Sequence, residues 1–302
     1  MPPQGIQRTR NALSQGIPAD EASHALSLAN LLAAELDQYA EIIAGARGVP
    51  IGFMTRGQDA GFTERAHQLL RQLGMPEAAI AHHRALATWF EHLNAFLKVE
   101  WHAAPDGVAP LAACYFRRRP EIETALARFH ALGVAPEVQD HVRRIAFTVE
   151  KDSIHFVSAA FRPGHPVHHK LYFSQWAEPG SRHKVQERIE RMFDRHAISE
   201  PARARWRALH ERTLPEGDPT LFLSISFTDR EVSPSFKIDY PEVAPDAAAA
   251  WLDGAAAAQA AQDAAHTCEL AGTRALSYLG VRFAPGDDTV RLKYYADVPG
   301  SA

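Results

Sequence analysis

Four short segments share one chemical arrangement: HHKLYFSQW, PSFKIDYPEV, VRLKYYADV and LKVEWH. The first three set Lys170, Lys237 and Lys293 two positions before Tyr172, Asp239 and Tyr295, with an apolar or aromatic residue between. The fourth runs Lys98-Val99-Glu100-Trp101-His102. Side chains of an extended chain alternate between faces, so each lysine shares a face with its polar partner. Lysines gathered on one surface repel one another unless an anion sits among them, and a diphosphate suits that place. Interleaved tyrosines add hydroxyl donors and electron-rich rings, which attract a carbocation and keep water away from it.

The elements carrying these segments recur. Up to residue 95 the chain reads as a helical segment: SHALSLANLLAAELDQYAEIIAGA, FTERAHQLLRQLG and PEAAIAHHRALATWFEHLNAF have apolar residues at helical spacing, and the short piece VPIGFM reads as a strand at most. From residue 96 to 302, helices alternate with β-hairpins four times, at intervals of roughly 55 to 70 residues, too long for a typical solenoid unit. Strands are expected near 97–102, 111–116, 153–161, 168–175, 221–228, 235–240, 275–283 and 290–297, with the first hairpin turning at APDG. The Ala-rich stretch at 247–265 reads as an ordinary helix. One domain built from the helical segment and the helix–hairpin repeats is expected, in the α+β class.

Helices that follow every hairpin must cover one sheet face, and that face must be apolar. Val99, Trp101, Leu171, Phe173, Phe236, Ile238, Leu292 and Tyr294 supply it. The lysines and tyrosines then face either open water or the lumen of a closed barrel. The recurrence of the pattern favours the lumen.

The composition fits this and excludes other classes. Of 302 residues, 46% are hydrophobic and 23% charged, and the formal net charge is −4, so no global basic field invites nucleic acid. No apolar run nears the ~20 residues of a membrane span, and the N-terminus lacks an apolar signal core. Cys114 and Cys268 are far apart, as expected of two reduced thiols in a cytoplasmic protein. GxGxxG, P-loop and HExxH motifs are absent. His165, His168 and His169 crowd the segment PGHPVHH, but no carboxylate or cysteine completes a metal-ligand spacing, so no metal site is expected. RRRPE reads as a solvated helix start.

The arrangement KVEWH, KLYF, KIDY and KYYADV, with LSYLGVRF before the last, resembles the ABBA (αββα) barrel of aromatic prenyltransferases, where helices surround a closed antiparallel barrel. In texture it is similar to the small bacterial branch that includes cyanobactin peptide prenyltransferases. The resemblance implies an enzyme of secondary metabolism that moves an isoprenoid, dimethylallyl by expectation, from its diphosphate to an aromatic or peptide acceptor. It implies that Lys98, Lys170, Lys237 and Lys293, with Arg282 and Arg291, bind diphosphate. Tyr172, Tyr278 and Tyr295 would shield the cation, and Ser224 and Ser226 would touch donor or acceptor. In that family a glutamate on the first barrel strand faces the nucleophile, and KVEWH offers Glu100 as the catalytic residue. The family has five hairpins where four are clear here; the fifth uses VPIGFM or IAFTVEKD, or is absent. Mg²⁺ stays open, since some members use it and others rely on lysine and arginine. A non-catalytic barrel binding an apolar or anionic small molecule is the alternative.

Overall fold

Pairs of helices lead into β-hairpins throughout the chain. The computed structural model describes residues 4–45, 50–57, 59, 61–90, 95–104, 107–176, 182–215 and 219–299. Helices α1 (Gln4–Gly16), α2 (Ala19–Leu31) and α3 (Ala33–Gln38) precede β1 (Ala40–Ala44) and β2 (Pro50–Gly57). Helices α4 (Phe62–Gln72) and α5 (Glu77–Phe90) precede β3 (Ala95–Ala104) and β4 (Gly107–Phe116). Next come α6 (Ile122–Ala131) and α7 (Pro136–Thr148), then β5 (Phe156–Phe161) and β6 (His168–Trp176). Helices α8 (Arg182–Arg195) and α9 (Glu200–Thr213) lead to β7 (Thr220–Phe227) and β8 (Val232–Val243). Finally α10 (Pro245–Ala249) and α11 (Gly254–Ala271) lead to β9 (Leu276–Phe283) and β10 (Arg291–Asp297).

The ten strands among the described residues form a closed antiparallel barrel, in which each strand pairs with its sequence neighbour and β1 returns to pair with β10. Closure leaves no unpaired strand edge. A barrel of this strand number encloses more space than its own side chains fill.

Alternation decides which residues enter that space. Val99, Trp101, Leu171, Phe173, Phe236, Ile238 and Tyr294 are buried between barrel and helices, and Leu292 packs against the same core. Each large apolar side chain buried there contributes about 1.5–3 kcal/mol. Two polar contacts cross this layer: Trp206 Nε1 donates to Tyr240 Oη at 3.0 Å, and His210 Nδ1 lies 3.0 Å from the same hydroxyl. Local signals set the helix ends. Pro136 opens α7, the Ser199 hydroxyl accepts from Ala202 N at the start of α9, and Gly272 ends α11 with φ +76°.

Three expectations are corrected. The fifth hairpin is β1–β2, so the first 95 residues are not helical throughout. AEIIA looks helical because Leu36, Ile42 and Ile43 keep a helical spacing, yet Ala40, Ile42 and Ala44 pack on the outer core while Glu41 sits beside the lumen. IAFTVEKD is no strand: it begins as the last turn of α7. The Ala-rich stretch breaks between α10 and α11, where Trp251 is fully buried and its Nε1 donates to Thr213 Oγ1 at 3.1 Å. Residues 105–106 of the APDG turn and 91–94, at the end of the helical stretch before β3, lie outside the described residues.

Candidate active site

Lys98, Glu100, Lys170, Ser226, Arg282 and Lys293 come from β3, β6, β7, β9 and β10 and line one half of the lumen. Tyr172, Lys237, Tyr278 and Tyr295 line the other half, beside Tyr39, Glu41, Phe96, Tyr115, Phe156, Phe222 and Asp239. Ser224 is buried, paired in register with Tyr172 on one side and Lys237 on the other. Arg291 does not join them. Its side chain is 77% exposed and points to Asp287, 3.4 Å away, because it stands at the first position of β10.

One buried carboxylate offsets part of the charge of the basic half. Glu100 is 2.9 Å from Lys98 Nζ and from His102 Nε2, and it also accepts from Lys293 Nζ. Burial alone would raise the Glu100 pKa, but Lys293 and Lys98 overcome that and hold it well below the usual carboxylate range. Lys293 is pushed down to about 7 by burial, against the pull of Glu100. Lys170 is held well below the ordinary lysine range by burial and then by Lys98, Lys237, Arg282 and Lys293. Among the described residues it has no carboxylate in ion-pair reach.

A tyrosine belt separates the halves. Tyr115 and Tyr172 have ring centroids 5.8 Å apart. Lys237 Nζ lies 5.0 Å from the Tyr295 ring centroid and 6.0 Å from that of Tyr172. Gly280 makes room for this belt: a Cβ there would meet Asp239 Oδ1 at 3.0 Å, Lys237 Cδ at 3.2 Å and Tyr295 Cε2 at 3.4 Å.

The aromatic half has its own carboxyl group. Glu41 on β1 is 1% exposed, accepts from Ser277 Oγ at 2.6 Å, and faces Asp297 across the β1–β10 pairing. Burial and then Asp297 push its pKa well above the usual range. The lumen thus holds two buried carboxyl groups. Glu100 on the third strand is ion-paired with Lys98 and Lys293, and the first barrel strand carries Glu41. Glu41, Asp297, Tyr115 and the rings of Phe96, Phe156 and Phe222 escaped the sequence reading. AEIIA, five residues long, is too short for its alternation to signal Glu41.

The donor set does not suit a metal. Among the described residues, no three His, Cys, Asp or Glu side chains gather to hold an ion. Glu100 is already engaged by two lysines and a histidine, and the other carboxylate lining that half is the exposed Glu231. His165 and His168 line the basic half, whereas His169 packs outward against Phe129 and Phe227. No described helix is long and apolar enough to cross a membrane, and both cysteines are buried and free.

Chemically, the lumen can hold a polyanion at one end and a flat apolar group at the other, with π faces between. No protein-family model and no curated protein matches the chain. Solved structures do. Prenyltransferase PriB, in a ternary complex with L-tryptophan and dimethylallyl thiolodiphosphate, is 14% identical with a TM-score of 0.59, over 98% of this chain and 95% of that one. 6-Dimethylallyltryptophan synthase from Micromonospora olivasterospora, with DMASPP and Trp, is 12% identical with a TM-score of 0.64, over 100% and 98%. NotF in complex with brevianamide F and DMSPP is 11% identical with a TM-score of 0.64, over 99% and 96%. End to end, this chain therefore has the ABBA-barrel fold of the aromatic prenyltransferases.

Proposed function

We propose that the protein transfers an isoprenoid, dimethylallyl in the first instance, from its diphosphate to an aromatic acceptor. The observation that carries this is the division of one closed lumen into a cationic half and an aromatic half with a buried glutamate. Lys98, Lys170, Lys293 and Arg282 bind the diphosphate, with Lys237 reaching from the boundary with the aromatic half, and Ser226 stands beside Lys170 in register. The allylic C–O bond breaks with its electrons leaving on the diphosphate, whose growing charge those cations stabilise. Tyr115, Tyr172 and Tyr295 flank the allyl cation, and Tyr278 closes the aromatic half. Glu41 accepts a hydrogen bond from the acceptor's N–H or O–H and orients the ring for attack. The cations offset the diphosphate charge, so no step needs a metal. Two buried free thiols suit a reducing cytoplasm.

The test is incubation of purified protein with dimethylallyl diphosphate and a panel of indoles, tyrosine derivatives and peptides, read by mass spectrometry. A mass gain of one prenyl unit supports transfer, and the acceptor that gains it separates small-molecule from peptide specificity. Tight diphosphate binding without any transfer identifies a non-catalytic ligand-binding barrel. Absence of both binding and transfer rejects both readings.

A further inference from the structure

Glu41 and Asp297 are direct partners in the antiparallel pairing of β1 with β10, which sets their side chains next to each other. Each is anchored from behind: Ser277 Oγ donates to Glu41 Oε1 at 2.6 Å, and Tyr39 Oη donates to Asp297 Oδ1 at 3.0 Å. Neither carboxyl has an ion-pair partner among the described residues. Glu41 is sealed at 1% exposure, while Asp297, the last residue of its strand, is exposed at the rim.

We propose that Glu41 and Asp297 share one proton, and that Asp297 passes the acceptor's proton from the lumen to water. Two carboxyls side by side on paired strands, neither in an ion pair, repel when both ionise, so the pair carries a single negative charge. Both are raised, Glu41 by burial and then by Asp297, and Asp297 by the protein packed about it. The other titratable groups about the pair are Tyr39, Arg56 on β2 above the Tyr39 ring, Tyr115 on β4, Arg117 just after β4, His155 just before β5, Tyr172 on β6, Lys237 and Asp239 on β8, Tyr278 on β9 and Tyr295 on β10.

Resting on the transfer reaction proposed above, the step is as follows. Attack by a ring carbon leaves a proton on that carbon. Its C–H bond breaks, the electron pair returns to the ring, and an O–H bond forms on the ionised oxygen of the pair. The pair is then doubly protonated, and Asp297 releases one proton to solvent at the rim.

The pair is tested first without any activity, by ¹³C NMR titration of labelled Glu and Asp carboxyls in wild type, Glu41→Gln and Asp297→Asn. Sharing predicts that the Glu41 resonance titrates above the ordinary carboxylate range and moves down by at least one pH unit in Asp297→Asn. Two independent titrations in the ordinary range, unchanged by Asp297→Asn, overturn the pair. With an acceptor that wild type prenylates, Asp297→Asn should lower kcat about tenfold or more, displace the acid limb of the pH–rate profile and leave donor KM unchanged. Asp297→Glu should recover part of that loss. An unchanged kcat and acid limb overturn the relay. A wild type without transfer activity overturns the relay together with the proposed reaction, and the NMR result still decides the pair.

Discussion

Lys237 Nζ stands 2.6 Å from Asp239 Oδ1 and 3.1 Å from Tyr295 Oη, all three buried at the boundary between the cationic and aromatic halves of the lumen. Lys237 is thus paired before any ligand arrives, which changes what removing it does. Lys237→Ala leaves Asp239 buried and unpaired and should lower stability by about 3–5 kcal/mol. The double variant Lys237→Ala/Asp239→Asn should recover most of that loss while still binding diphosphate weakly. Denaturant unfolding of the two variants checks this; equal stability would show that Asp239 finds another partner.

Glu41 and Glu100 should separate kinetically. Glu41→Gln should lower kcat by about 10²-fold or more with donor affinity nearly unchanged. Glu100→Gln removes the counter-ion that keeps Lys98 charged, so it should raise donor KM and weaken the fold, with a smaller change in kcat at saturating donor. Steady-state kinetics on both variants decide the matter, and the reverse pattern would return the acceptor to Glu100.

Diphosphate binding should take up protons. Lys293 is held at about 7, so it gains a proton when an anion arrives, and burial pushes Lys170 in the same direction. The protonated lysines bind the donor, and protein free of donor loses those protons as pH rises. Affinity should therefore fall above about pH 7, by up to tenfold per pH unit for each proton taken up. Titration calorimetry in two buffers of different ionisation enthalpy measures that number, and zero uptake would contradict the burial of these ammonium groups.

A second pH effect lies behind the barrel wall. His82 and His83 on α5 and His169 on β6 are packed ring to ring with aromatic neighbours. Burial lowers all three, His83 and His169 to about 3. The unfolded chain binds protons to them near 6.5 and the folded chain does not. Stability is thus fully present above pH 6.5 and drains as pH falls below it, by up to about 1.4 kcal/mol per pH unit for each histidine. Unfolding midpoints at pH 7 and pH 5 should differ accordingly, and less so in His169→Leu.

The alternation of lysine, tyrosine and apolar residues was legible in the sequence because a strand's side-chain period depends only on local geometry. It determined that Lys170, Lys237 and Lys293 share a side opposite Leu171, Ile238 and Tyr294, and closure turned that side into a lumen. The identity of the carboxyl group beside the acceptor was not legible. AEIIA has too few residues to show period two against a helical background, and Glu41 acquires Asp297 as a neighbour only when the first strand pairs with the last, across 256 residues of chain (297 − 41). Glu100 looks equally suitable in sequence, since its local neighbours are those of any strand glutamate. Lys98 could be foreseen two residues away, whereas Lys293 reaches Glu100 only across the closed lumen. Local chemistry chose the residue types on each strand; closure of the barrel chose which charges meet.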